Sequence, residues 1–265
     1  MAQSPPPLVF EAASVKPSRP GFSGGQKGAG SGDGPVFEAD HLTFRARSMH
    51  LYGLIVRAYG LRFCRPLTGS CPVLSGGPTW IGKDAFDITA KSPAGSKEYT
   101  TIQLANGQAP GLQEELRNLL ADRFHLKAHF EERQLPVYAF TVADGGIRLK
   151  QSTAAGSSSV VFQPVNSPAG PPATGVVGVR STIQDVADLY ARFMDRPIID
   201  ATGLTGRYDF TVQYENDPDS DGPFAAATSH TLFEAFEKQA GLKLKATRGP
   251  VKVLVIDSVS RPTAN

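Results

Sequence analysis

The sequence predicts an α+β fold built from two tandem copies of a β-α-β-β-α-β-β unit, with helices packed on small mixed sheets. Three recurrences carry this expectation. Arg-Ser stands at a strand-to-helix junction twice, at Arg47-Ser48 and at Arg180-Ser181. An aromatic-Asp-apolar triplet in period-two alternation also occurs twice, as Phe86-Asp87-Ile88 and as Tyr208-Asp209-Phe210. Finally, an amphipathic helix followed by a strand, a turn and a strand opened by Pro-Val is found at 112–142 and again at 231–259. The order of these features divides the chain into an N-terminal strand and Gly-rich linker (1–35), a first repeat (36–150), a Ser/Pro/Gly linker (151–175) and a second repeat (176–265).

Each element has a local reason. The stretches 18–34, 152–175 and 215–229 are rich in Gly, Pro and Ser and read as loops. In "FRARSMHLYGLIVRAYGL" a short strand enters a helix whose Leu51, Leu54, Ile55 and Tyr59 recur at helical spacing. "VVGVRSTIQDVADLYARF" has the same form, and Ser48 and Ser181 are the expected helix caps. Ser181 with Gln184 completes a capping box. After a glycine turn comes the strand carrying Asp87 or Asp209, each expected to face Arg47 or Arg180 of its own repeat or to cap a neighbouring turn. Trp80, the only tryptophan, stands beside such a turn and reads as a wedge at the helix-sheet corner.

Composition bounds the function. Of 265 residues, 40% are hydrophobic and 20% charged, which are globular values. The 27 basic and 25 acidic residues are scattered, so there is no electrostatic footprint for nucleic acid or an anionic membrane. No apolar run approaches the ~20 residues of a membrane helix. Cys64 and Cys71, the only cysteines, flank a Pro- and Gly-containing loop. A short-loop disulfide is the economical reading, with two unrelated free thiols as the alternative. Ala2-Gln3-Ser4 before three prolines resembles the residue of a signal-peptidase cut, so an exported protein, periplasmic or secreted, is expected.

The densest cluster of candidate ligands is "RFHLKAHFEE", which places His125, His129, Glu131 and Glu132 within ten residues. Alternation puts His125, Lys127 and His129 on the outward face of one strand. The counterpart strand carries Lys243, Lys245 and Thr247 at outward positions, so these are generic polar positions. His125 and His129, four residues apart on a strand, stand about 13 Å apart, too far to share one ion. His129 with Glu131 is the residual metal candidate, and no cofactor is expected. "GFSGG" matches the nucleophile-elbow pattern around Ser23 but lacks the strand before it and the helix after it.

The segments "FEAASVKPS", "GGPTWIGKDAFDITAK", "LLADRFHLKAHFEERQLPVYAFTVADGGIRLKQS", "RPIIDATGLTGRYDF" and "GLKLKATRGPVKVLVIDSVSRPT" together resemble a large paralogous family of unknown function from acidobacterial soil bacteria. The resemblance implies export. Some relatives look fused to membrane peptidase-sensor modules of the BlaR type, which implies a sensing or binding role. The helix-then-strands ending is also similar to the short N-terminal domains of secretins and TonB-dependent receptors, a fold analogy only. The expected function is therefore an extracytoplasmic, non-catalytic module that binds a protein or small ligand at an edge strand or an inter-repeat groove. The alternative is a hydrolase-type enzyme using Asp84, Asp87, Glu131 or Asp209 in a cleft between repeats.

Overall fold

The computed structural model describes residues 7–18, 36–64, 71–165, 173–190, 194, 196–215 and 230–262. They form an α+β protein of two compact units: Met1–Glu131 together with Lys252–Asn265, and Glu132–Val251. Ser23 and most of the first and third linkers lie outside the described residues.

In the first unit, β1 (Ala12–Pro17), β2 (Val36–Asp40), β3 (Thr43–His50) and β5 (Ala85–Lys91) form an antiparallel sheet in the order β1-β5-β3-β2. The alternation expected of β5 is observed: Phe86, Ile88 and Ala90 are buried, while Asp87, Thr89 and Lys91 are exposed. The register slips between Ala46 and Met49, so β3 carries a bulge in which Ser48 adopts φ +51°. Asp87 Oδ1 accepts the Ser48 backbone N–H at 2.8 Å and the Ser18 hydroxyl at 2.6 Å. The carboxylate thus serves the bulge backbone and not the Arg47 side chain. Ser48 is correspondingly not a helix cap: α1 (Leu51–Ala58) starts after His50, whose side chain makes no capping bond.

After α1 come β4 (Leu74–Gly76) and a single 3-10 turn at Thr79–Gly82. Beyond β5, α2 (Thr101–Ala105) is closed by a Thr100–Gln103 capping box. The longer helix α3 (Pro110–Phe124) has proline in its first turn, where no amide is missed. It ends because His125 turns left-handed, φ +50°, allowing the Leu126 N–H to reach the Leu120 carbonyl. His125 is therefore a helix terminator, and β6 (Lys127–Val142) begins two residues later, a correction to its expected place on the strand.

The second unit repeats several of these devices. β7 (Lys150–Gln151), β8 (Ser159–Val165), β9 (Ala173–Ser181) and β11 (Tyr208–Glu215) form an antiparallel sheet in the order β7-β11-β9-β8. Its register slips between Tyr208 and Phe210, Arg180 adopts φ +49°, and Asp209 Oδ1 accepts the Arg180 N–H at 2.7 Å. Gly178 is required beside this bulge, since a Cβ there would overlap the Phe210 ring.

The expected Ser181–Gln184 box is displaced by one residue. Thr182 and Asp185 cap α4 (Ile183–Tyr190) reciprocally, at 3.1 and 2.9 Å. Ser181 is fully buried and donates to the Ser159 carbonyl at 2.6 Å. α5 (His230–Ala235) continues into a π-helical turn, Phe236–Ala240, and stops at Gly241, φ +69°. Phe140, Val176, Ile183, Tyr190, Val212 and Phe236 lie in one hydrophobic core.

The expected turn before each Pro-Val is absent. β6 is one continuous strand of 16 residues, and β12 (Leu242–Ser258) one of 17. Pro136 and Pro250 are exposed along them, as suits a residue with no amide to donate. The two long strands are neighbours in a sheet of order β10-β6-β12-β4, where β10 is Ile198–Asp200. The division between units falls inside both long strands. Within the first unit the far end of β12 pairs in parallel with β4, Leu254 opposite Leu74. Within the second, the far end of β6 pairs in parallel with β10, Tyr138 opposite Ile198.

The two left-handed terminators differ in tolerance. A Cβ on Gly241 would run into the backbone of Gly146, at a φ that L side chains avoid. Gly241→Ala is expected to cost about 2–3 kcal/mol. His125→Gly should be neutral or stabilising by up to about 1 kcal/mol, because glycine relieves the left-handed strain. Urea denaturation of both variants checks the pair.

Candidate functional site

Of the polar residues singled out in the sequence, His125, His129, Glu131, Asp84 and Asp87 lie in the first unit, in separate contacts. His129 lies on β6, with its Nδ1 3.0 Å from Asp257 on the neighbouring strand β12. His125 meets a different partner, Ser260 Oγ, at 3.0 Å, and the Ser260 N–H is bonded to the Phe124 carbonyl at 2.8 Å. The segment after β12 is thereby fastened to the end of α3. Glu131 is half-buried and engaged by partners of its own. Among the described residues no group of three or more His, Cys, Asp or Glu is placed to hold a metal ion.

The expected catalytic acids are each held in a structural contact. Asp84 accepts from Arg261 Nε at 2.7 Å, and the Arg261 guanidinium lies 4.9 Å from the Trp80 ring centroid. Trp80 meets Phe86 edge-on, and Phe86 meets Phe124 in the same way, so the tryptophan links the C-terminal segment to the aromatic core. Asp87 and Asp209 hold the two bulges. The Arg180 N–H, donating to Asp209, holds that carboxyl below the usual range. Asp84, Asp87 and Glu131 belong to the first unit and Asp209 to the second.

Two further ionisable groups, one buried and one half-buried, stand outside the residues that the sequence singles out. Glu115 is only 4% exposed and accepts the Ser92 hydroxyl at 2.6 Å. Burial pushes its carboxyl above the usual range. The signal was present, because Leu112, Glu115, Leu116 and Leu119 follow the i, i+3, i+4, i+7 rule and place Glu115 on the apolar stripe. Arg57 donates to the Gly53 carbonyl at 2.8 Å and covers the Phe37 ring at 3.8 Å, and burial pushes its guanidinium down to about 10.

Cys64 and Cys71 are joined in a disulfide, their Cα atoms 4.1 Å apart. The bond ties the segment after α1 to the approach to β4, where the Leu74 N–H donates to the Cys71 carbonyl at 3.2 Å.

Sheet edges differ between the units. β1 lines β5 over all six residues from Ala12 to Pro17. β7 lines β11 only at Tyr208 and Asp209. Beyond Asp209 no described strand covers that side of β11. The side chain of Gln239 bonds there instead: its Oε1 accepts the Gln213 N–H at 2.9 Å, and its Nε2 donates to the Gln213 carbonyl at 2.6 Å. On the opposite edge of the sheet, β8 turns Val160 and Phe162 to the core and leaves Val161 40% exposed.

A family described as protein of unknown function (DUF3738) matches residues 53–259. The chain belongs to this family. The matched span contains the disulfide, both aspartates, both long strands and the β11 edge with Gln239, while β1 to β3 precede it. No curated protein and no solved structure matches the chain.

Two measurements follow from these contacts. The folded protein holds the Glu115 proton to a higher pH than the unfolded chain does, so stability falls as pH rises from about 4.5 through the raised value. Glu115→Gln removes that slope. The variant should gain on the parent toward neutral pH, by at most about 1.4 kcal/mol per pH unit within that window, in denaturation curves recorded from pH 4 to 8. Reduction of Cys64–Cys71 should cost about 2.5 kcal/mol on the loop-entropy model. Alkylation of the non-reduced protein should add no carbamidomethyl groups by mass spectrometry.

Proposed function

We propose that the chain is an extracytoplasmic, non-catalytic module that binds a protein or small ligand at a sheet edge. The observation that carries this reading is the edge of β11, which the described strands cover only at Tyr208 and Asp209 and where backbone groups of a regular strand are met by a side chain. Unpaired edges recruit extended chains, because the incoming backbone satisfies donors and acceptors that already point outward. The disulfide supports an oxidising compartment. Among the described residues no helix is long and apolar enough to cross a membrane. The alternative, a hydrolase using Asp84, Asp87, Glu131 or Asp209, has weaker support: Asp84 serves Arg261, while Asp87 and Asp209 serve backbone N–H groups.

Residues 36–150 and 176–265 are further read as two copies of one segment. The matched support is the Asp87–Ser48 and Asp209–Arg180 bulges, the left-handed terminators His125 and Gly241, and the parallel pairing of β4 and β10 to the ends of long strands.

Selection of displayed peptides on the immobilised full chain, followed by hydrogen exchange, tests the binding role. Bound peptides should slow exchange along a sheet edge. Turnover of ester, amide or glycoside substrates that is lost in Asp84→Asn or Asp209→Asn would overturn it in favour of the hydrolase.

A further inference from the structure

We propose that the outer edge of β11, from Phe210 to Glu215, accepts an extended peptide that adds as an antiparallel strand, with Gln239 occupying its central hydrogen-bonding position until it arrives. This rests on the binding-module reading and names its edge, its partner and its gate.

The direction of the free groups follows from Gln213. Both its N–H and its C=O are turned to Gln239, away from β9. In an antiparallel ladder alternate residues present both groups on the same side, so those of Thr211 and Glu215 point outward as well. Arg207, just before the strand and in the same alternation, obeys the same rule, since its C=O accepts the Ser152 N–H on that side at 2.7 Å. Among the described residues Thr211 has no partner there. A primary amide bonded to both the N–H and the C=O of one residue reproduces the two bonds that a strand residue would make. Gln239 therefore stands in for one residue of a missing strand.

The first unit supplies the chemistry of the occupant. There β1 fills the equivalent edge of β5, with Lys91 opposite Ala12, Thr89 opposite Ser14 and Ile88 opposite Val15. Superposing Asp87 on Asp209 places Gln213 at Lys91, Thr211 at Thr89 and Phe210 at Ile88. A strand on β11 would then set a small residue beside Val212 and a β-branched one beside Phe210, as Ala13 and Val15 are set on β5. Val212 is buried and Phe210 half-buried, so the inward positions of the incoming strand are apolar and small. Thr211 and Gln213 are exposed, which leaves the outward positions polar. The partner is an extended polypeptide segment of about six residues with small or β-branched side chains at alternate positions. It carries no proline at the intervening ones, because those residues must donate.

The acetylated, amidated hexapeptide of residues 10–15, Phe-Glu-Ala-Ala-Ser-Val, titrated into the isotope-labelled full chain, is the test. NMR should show one-to-one binding, with shifts at Thr211 and Gln213 and at the Gln239 side-chain amide. N-methylation at the third and fifth residues, which face Gln213 and Thr211, should weaken binding at least tenfold. N-methylation at the fourth residue, whose N–H points outward, should change it less than threefold. Gln239→Ala should raise the affinity three- to tenfold, because no side chain has to leave. The proposal is overturned if the peptide fails to bind, if both methylation patterns act alike, or if Gln239→Ala changes nothing. Shifts confined to β8 or β2 would overturn this edge and leave the binding-module reading standing. Concentration-dependent broadening at β11 without peptide would assign the edge to a second copy of the chain, and overturn the peptide as occupant.

Discussion

The fold depends on a carboxylate that accepts a backbone N–H inside a strand. At Ser48 and again at Arg180 a residue takes a left-handed conformation, opens the ladder and leaves an amide without its usual partner. An unsatisfied amide of this kind costs about 1–3 kcal/mol. Asp87 and Asp209, one strand over, remove that cost. The bulge bends the strand and redirects the chain, and a helix follows within three residues in both cases: α1 after Ser48, α4 after Arg180. The helix then brings its apolar stripe to the core of its own unit. A side chain that looks like a catalytic acid by residue type is here the fixture on which the strand-to-helix turn is built.

This explains why the α+β class was legible and its details were not. Period-two alternation at 86–88 and 208–210 marks strands whatever their partners, and it placed both aspartates correctly. The Arg-Ser pairs misled because they match in letters and not in geometry: the residue that corresponds to Ser48 by its aspartate partner is Arg180, not Ser181. Each cap therefore shifts, to the backbone of His50 in one unit and to Thr182 in the other. The long strands run past the turns that the sequence predicts, for a related reason. Proline normally closes a strand, yet Pro136 and Pro250 sit exposed within strands that run on past them. Alternation predicts a face of β6 for His125, whereas its backbone ends α3.

The candidate site was legible only as a kind of surface. An edge strand can be expected from sequence, but which edge stays open depends on how far its neighbour extends, and two residues of β7 against six of β1 is a tertiary fact. Gln239 carries no signal of its own, being one polar residue in the last turn of a helix. Natural sheets blunt their edges with charges, prolines or covering loops. A side-chain amide is a gentler device, since it satisfies the ladder at one residue and can swing aside on a side-chain timescale.

The parallel pairing of β4 with the far end of β12 has a consequence for the order in which the protein is made. The first unit needs Lys252 and the residues after it, and these leave the ribosome about 120 residues later than Glu131, where its earlier part ends. Until then β4 lacks the strand it pairs with in the folded protein, and the end of α3 lacks the segment that Ser260 fastens to it. At synthesis rates of roughly 5–20 residues per second the wait lasts about 6–24 seconds. Throughout that interval the N-terminal part of the chain is incomplete while the residues of the second unit are being translated. The closing strand thus couples completion of the earliest sequence to arrival of the latest, so a nascent chain interrupted anywhere upstream of Lys252 leaves its first unit without the strand that completes it.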